Sequence, residues 1–471
     1  MFKGLISKLV VFLPLIIALS CGSVATKHSF YGPITTDLKT QKYNDAIIKV
    51  EVARTDNKYS KKDRLLYYMD AGMTHHYAFG YDPSNEQLTL AENAAEELFT
   101  KSVSRAAASL LLNDNILEYA GEDYEILYTN LIKALNYLAS DEFDEAFVEI
   151  RRVNEKLDLL EQKYAEAADR YSQSPEDDTL NVSSHINYEV EKVRFNNDAF
   201  ARYLSMHMYA DDGNMDDARI DYDFLEDAFK SQPHIYNFSQ PDVKYRPQSE
   251  KKAILSVVAL TGLSPTKEAL NLRIRTDKDL QLVQVLYTDG AKKDAEYGHI
   301  SFPVKADYYF KFSIPVMAPR HSKVSRIKVR SGIDYVGDLQ LIEDVSNVAE
   351  ETFKAKKSLV YLRSIARAIV KGLAAHKVKA KLDEKTGGGL GGWLAKAAVD
   401  VGTDVIENAD LRCSQLLPGK IFVGDFEVEP GAYDLTVEFF SSDGALLFSK
   451  NVPGFQIKNN KFNLVEVVNL N

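Results

Sequence analysis

The stretch Tyr128–Leu157, YTNLIKALNYLASDEFDEAFVEIRRVNEKL, decides how this chain of 471 residues is read. Leu131, Ala134, Leu135 and Leu138 recur at i, i+3, i+4 and i+7, one face of a helix. After Ser140-Asp141-Glu142 the pattern resumes at Ala146, Phe147, Ile150, Val153 and Leu157. The spacing predicts two helices joined by a short acidic turn, with small Ala134 and Ala146 allowing close approach. Neither helix can bury its stripe alone, so neighbouring pairs are implied.

Outward from this unit the same pattern returns. Asp63–Phe99 reads as a full pair with Gly72 at a close-packing position, and Asn197–Phe229 as another. Lys42–Arg54 reads as the second helix of a pair. The anchoring positions Ser84, Ala146 and Ala218 are unevenly spaced, so the repeats are degenerate. Residues 172–187 are polar and lack a period, as a surface loop does.

The spacing resembles the tetratricopeptide repeat (TPR). There a small residue and then an aromatic lie on the first helix, here Ala134 and Tyr137. A small residue and then a large apolar one lie on the second, here Ala146 and Ile150. The chain departs from the family at Lys133, where Leu is preferred, at Val153, where Ala is, and at Asp158, where Pro is. An ordinary amphipathic hairpin is the alternative. In the TPR family partners lie along the first helices. The resemblance therefore implies a partner groove at Leu66, Met69, Met73, His76 and Tyr77, then Leu131, Leu135 and Leu138, then Phe200, Tyr203 and His207. Their apolar and aromatic character suits a peptide or partner helix. Alternatively, inserted helices such as those between Phe99 and Glu125 cover these positions and make them core.

Residues 1–20 read as a targeting segment, with Lys3 and Lys8 ahead of the apolar run Leu9–Leu19. Cys21 follows at once. The stretch resembles a bacterial lipobox, although Ala18 and Leu19 depart from the preferred Leu and small residue. That resemblance implies a lipid on Cys21, with a plain secretory leader as the alternative. Gly22 resembles the second position of lipoproteins sent to the outer membrane, so the expected location is that membrane, facing the periplasm.

Residues 21–36 then read as a tether, 37–230 as a degenerate TPR-like helical domain, and 231–252, with three prolines, as a linker. Beyond the linker the period becomes two. AILSVVAL (253–260) is a buried-strand run, and ALNLRIRT, LQLVQVLYT, YYFKFSIPV and KVSRIKVRS alternate. From 345 to 410 the period is helical again, broken by TGGGLGG (386–392), as in a helical hairpin. Strands KIFVGDFEV, AYDLTVEFF, ALLFSK and KFNLVEVVNL follow. The expected fold is multidomain α + β. A TPR-like N-terminal half precedes a β-sandwich-like domain over 253–344 and 411–471, into which 345–410 is inserted. As a whole the chain resembles an uncharacterised group of bacterial envelope lipoproteins with a TPR-like helical half and a β-rich half. That group supplies no catalytic residue to carry over.

The net charge of −11 excludes a basic, phosphate-neutralising nucleic-acid binder. The glycine run lacks the Lys-Ser/Thr ending of a phosphate loop, and adjacent His75 and His76 point apart on a helix. HExxH, CxxC and Gly-x-Ser-x-Gly are all absent. No cofactor, metal or catalytic residue is therefore expected. Cys413, the one other cysteine, reads as a buried thiol. Between Thr352 and Lys385 Lys and Arg outnumber acids, with Arg363, Arg367 and Lys371 along one flank. This is either a helix whose charges stay solvated or a surface for anionic lipid. The expected role is a membrane-anchored scaffold that binds an envelope protein. An envelope enzyme acting on cell-wall or lipid material, or a lipid-contacting protein, is the rival.

Overall fold

The computed structural model describes residues 30–109, 117–172, 193–249, 251–277, 279–301, 309–354, 356–358, 360–361 and 409–471. Residues 1–20, read as a targeting segment, Cys21, most of 172–187, read as a loop, the glycine run 386–392, and Arg363, Arg367 and Lys371 lie outside these residues.

Eight helices form four consecutive hairpins: α1 (Tyr31–Lys39) with α2 (Tyr43–Thr55), α3 (Arg64–Tyr77) with α4 (Tyr81–Ser109), α5 (Asp123–Ala139) with α6 (Phe143–Ser172), and α7 (Ala199–Asp211) with α8 (Met215–Ser231). Helix α1 corrects the expected tether, since it starts before residue 37. Gly32 and Pro33 lie in its first turn, where a missing N–H costs no intrahelical bond. Buried Tyr31 and Ile34 hold it to the core.

One local device makes all four hairpins. Each turns in three residues, and the central ones, Gln41, Phe79, Asp141 and Gly213, have φ of 61°, 60°, 62° and 80°. The next amide reaches back to the helix: Lys42 N–H donates to Asp37 O at 2.9 Å, Gly80 to His75 O at 2.9 Å, Glu142 to Tyr137 O at 2.8 Å, and Asn214 to Tyr209 O at 2.8 Å. This bond, closed across one left-handed residue, satisfies carbonyls that a helix end leaves without partners. Five positions past each centre stands a small buried residue, Ala46, Ser84, Ala146 or Ala218. Spacing that is uneven between hairpins is thus uniform within them. In the second hairpin a Cβ on Gly72 would lie 2.5 Å from Leu88 Cδ2, and the Ser84 hydroxyl donates to Gly72 O at 2.8 Å. The helices touch there through backbone.

Among the described residues the C-terminal half holds eleven strands in two sheets: β1 (Ala253–Leu263), β2 (Thr266–Asp277), β3 (Leu282–Tyr287), β4 (Glu296–Ser301), β5 (Tyr309–Ala318), β6 (Arg326–Ser331), β7 (Asp334–Asp344), β8 (Pro418–Val428), β9 (Gly431–Phe440), β10 (Leu446–Ile457) and β11 (Asn463–Asn469). Seven strands run in the order β10-β9-β6-β7-β8-β1-β11, and four in the order β4-β3-β2-β5. Only the β1–β11 pair is parallel among the described residues, which lets the C-terminal strand cross back beside the first. Strands β7 and β8, which flank 345–410, are antiparallel neighbours, and a helix, α9, starts at residue 345.

Strand β1 is buried at every position because both its faces are covered. Leu255, Val257 and Ala259 point into a core made by the seven-stranded sheet curling over itself, with β10 coming back beside β1 and β11. Val258 and Leu260 point the other way, into a core shared with the helices. A strand covered twice carries no alternation, hence the continuous run AILSVVAL.

Candidate functional site

The first helix of each hairpin faces the sheet. Leu66, Met69, Met73, His76, Tyr77, Leu131, Leu135, Phe200, Tyr203 and His207 are buried, and Leu138 is half-buried. The expected open groove on these residues is therefore corrected: they are core, and the chain's own C-terminal half covers them. The Tyr77 hydroxyl donates to Leu416 O at 2.7 Å. His76 Nδ1 lies 2.7 Å from Asn136 Oδ1, and its Nε2 lies 2.9 Å from Glu466 of β11. Burial opposes a charge on His76, yet Glu466 and Asn136 hold its pKa above the ordinary value.

Asp425 of β8 is the hub of the last hairpin's contact. It accepts from Tyr203 Oη at 2.8 Å, Ser256 Oγ at 2.7 Å and Lys244 N–H at 2.8 Å, and His207 Nε2 lies 3.2 Å away. Serine, histidine and aspartate thus meet, but not as a nucleophile relay. Ser256 donates to Asp425, not to His207, so no base is placed to take its proton. The His207 ring is stacked on Phe462 with centroids 4.7 Å apart. The adjoining void of about 40 Å³, lined in part by His207, Ser256 and Phe462, is no larger than a water or two.

Two further polar clusters join the halves. At the N-terminus of α7, Tyr236 Oη lies 3.1 Å from Glu343 of β7, and Asp198 caps the helix by accepting from Ala201 N–H at 2.7 Å. Burial, and then the neighbouring Asp198, push the Glu343 carboxyl well up; burial pushes Asp198 up to about 6. Around α3 and α5, Lys267 of β2 pairs with Glu122 and donates to Arg412 O at 2.9 Å. Arg412 bonds Asp63 at 3.0 Å and Asp410 at 2.7 Å. Glu125 accepts from Tyr119 Oη and Ser414 N–H, both at 2.6 Å. Cys413 is buried within this cluster, and burial pushes its thiol up to about 12, which favours the protonated thiol. Asp70 accepts from Tyr31 Oη at 2.6 Å and Tyr59 Oη at 2.8 Å, and burial still pushes it up to about 7.

Lys133, which breaks the TPR pattern, has a local reason to be charged. Its Nζ lies 3.0 Å from Glu92 and 2.8 Å from Glu149, inside the stack. Against burial, Lys156, Asn130 and Lys133 hold the Glu92 carboxyl down at about 2. A buried ammonium between two carboxylates is satisfied where a lone one would not be.

The second helices present the opposite face. Seven and eleven positions past the turn centres stand Ile48 and Val52 on α2, Leu90 on α4, Val148 on α6, and Ile220 and Phe224 on α8, each 38% to 60% exposed. Between α6, α7 and α8 this face opens into a cleft of about 220 Å³. Phe147, Ile150, Tyr209, Ile220 and Phe224 give it apolar walls, and Arg151, Asn154, Arg202, Ser205, Asp217 and Asp221 its polar edges. Arg202 lies 4.7 Å over the Phe224 ring and bonds Asp221 at 3.0 Å, so both side chains are preplaced. Nothing in the sequence reading singled out this cleft. The signal was present in the apolar residues left over on α6 and α8 once their buried stripe is assigned.

Among the described residues no three His, Cys, Asp or Glu side chains group to hold a metal ion, and no helix is long and apolar enough to cross a membrane. Compared with protein-family models, curated proteins and solved structures, the chain matches none of them.

Proposed function

We propose that this chain is a lipid-anchored envelope protein, held to the outer membrane through Cys21 and facing the periplasm, that binds a protein partner through its helical half. On this reading the hairpins are TPR-like units and the curled sheet is a β-sandwich-like brace that occupies their inner face. The observation that carries it is the outer face: six apolar side chains at two register positions of the second helices, left exposed by a fold that covers nearly every inner one. Exposed apolar residues that recur in register form a surface, unlike scattered single ones.

The test has two arms. In cells, Cys21→Ala should move the full chain from the membrane pellet to the soluble periplasmic fraction and abolish labelling by a fatty-acid analogue. A photoreactive side chain placed at Ile220 or Val148 should give a cross-linked protein adduct, and one at Ile333, on the β6–β7 turn, should not. Unchanged pelleting and labelling would overturn the anchor. Absence of any adduct from the outer positions would overturn the scaffold.

A further inference from the structure

The cleft between the third and fourth hairpins carries more than a general docking face. Its floor is apolar and aromatic, from Phe147, Ile150, Tyr209 and Phe224. On its α8 side Asp217 and Asp221 line the cleft, and Asp216, Asp223, Glu226 and Asp227 lie farther round the same helix with Arg219 and Lys230. Arg219 pairs with Asp223 at 3.3 Å, Lys230 with Glu226 at 2.9 Å and Arg202 with Asp221 at 3.0 Å, which leaves Asp216, Asp217 and Asp227 outside any ion pair among the described residues. On the opposite wall the Asn154 Oδ1 acceptor is buried with no hydrogen-bond partner among the described residues. The cleft therefore offers acceptors and negative charge around an apolar slot. Arg151, on the α6 rim, is its one exposed basic lining residue.

We propose that this cleft docks a basic amphipathic helix of the partner, one large apolar side chain entering the slot and flanking Lys or Arg meeting the α8 acids and Asn154. This rests on the scaffold reading and names its surface and the partner's chemistry. The volume suits one bulky side chain. The charge balance selects a basic helix over an acidic one, because like charges set opposite one another cost affinity and opposite ones speed encounter. An amphipathic helix laid in a groove is read at i, i+3, i+4 and i+7, which fits a slot lined from α6, α7 and α8.

The probe is a synthetic leucine–lysine amphipathic helix matched in length to α8, with a leucine–glutamate helix of identical pattern as its counterpart. Binding is read by fluorescence anisotropy on the full chain in neutral detergent. The lysine helix should bind, and the glutamate helix should not. Phe224→Glu and Ile220→Lys should each weaken the lysine helix about tenfold or more, the scale of a central interface contact. Arg151→Glu should tighten it, and Ile48→Glu, on another hairpin, should leave it unchanged. Equal binding of both peptides, binding of neither, or indifference to Ile220→Lys would overturn the proposal, and the Ile220 variant decides it even if Phe224→Glu fails to fold. Self-association of the chain that Ile220→Lys abolishes would also overturn it, assigning the cleft to a second copy. Cross-linked adducts from Val148 or Ile220 in cells, with no peptide preference in vitro, would leave the scaffold standing and remove only the basic-helix assignment.

Discussion

The first and second helices of each hairpin are built by the same rules and meet opposite fates. In α3, 11 of 14 residues are buried, in α5, 12 of 17, and in α7, 9 of 13. In α2 the figure is 3 of 13, and in α8 it is 4 of 17. Local pattern does not account for that gap, since both layers carry apolar stripes and share one turn device. What separates them is the sheet, whose strands β1, β8 and β11 come from far along the chain and settle on the inner layer. A helical stack of this kind has one inner face to give, and here its own β half has taken it. Of the stack's two layers, only the outer one keeps exposed apolar side chains in register among the described residues.

The strongest way to break this comparison is to hollow the inner layer. Tyr203 is fully buried and bonded to Asp425, so Tyr203→Ala removes a large side chain and leaves a carboxylate short of one donor. The loss should be about 3–5 kcal/mol, as for large-to-small changes in a packed core. Chemical denaturation of the full chain checks it. A variant within about 1 kcal/mol of the parent would mean that the inner face is not packed against the sheet and that the groove is open after all.

How much of this was legible beforehand divides along the same line. The hairpins showed in the sequence because a period of 3.6 and a three-residue turn are local. Even there the left-handed turn centres were hidden, since Gln41, Phe79 and Asp141 are not glycine. Strands β4 and β7 gave little signal: β4 reads EYGHIS, with a glycine at its centre, and the first half of β7 is exposed or half-buried, so neither offers a clean alternation. The inner residues were recognisable as one apolar face, but not what covers it. The parallel β1–β11 pair joins residues some 200 positions apart, and no local period records such a pairing. His76 and His207 read as groove residues because their acid partners, Glu466 and Asp425, stand on strands.

A second test sharpens the joint between the layers by pH. Burial raises Asp70 to about 7 and Asp198 to about 6, and raises Glu125 and Glu343 as well. A carboxyl whose folded pKa lies above its unfolded one makes the folded state bind more protons. Its contribution is therefore fully present below the ordinary value near 3.8 and is lost as pH rises through about 7. The groups facing Asp70 are Tyr31, Tyr59, Glu125 and Ser414. Asp70→Asn keeps the acceptor for the two tyrosines and removes the titration. The parent should lose a few kcal/mol between pH 4 and pH 8, at about 1.4 kcal/mol per pKa unit, and the variant visibly less. Thermal melts at several pH values measure the slope. Identical slopes in parent and variant would take Asp70 out of the joint.

The smallest expected effect is the most discriminating. Ile48 and Val52 on α2 are 60% and 50% exposed, and the helix buries only Ala46, Val50 and Ala53. If the outer layer is a surface kept for a partner, its apolar side chains contribute almost nothing to the fold itself. Ile48→Ser and Val52→Ser should then leave the free energy of unfolding within about 0.5 kcal/mol of the parent, as surface changes do. At least half of each side chain stays in water in the native chain, so removing it forfeits little transfer free energy. The same substitutions should improve solubility, because they dilute an exposed apolar face. Equilibrium denaturation and the concentration at which the protein begins to aggregate are the two readouts. A loss of 2 kcal/mol or more from either variant would show that something within the chain covers α2, and the contrast between the two layers would then fail at its first hairpin.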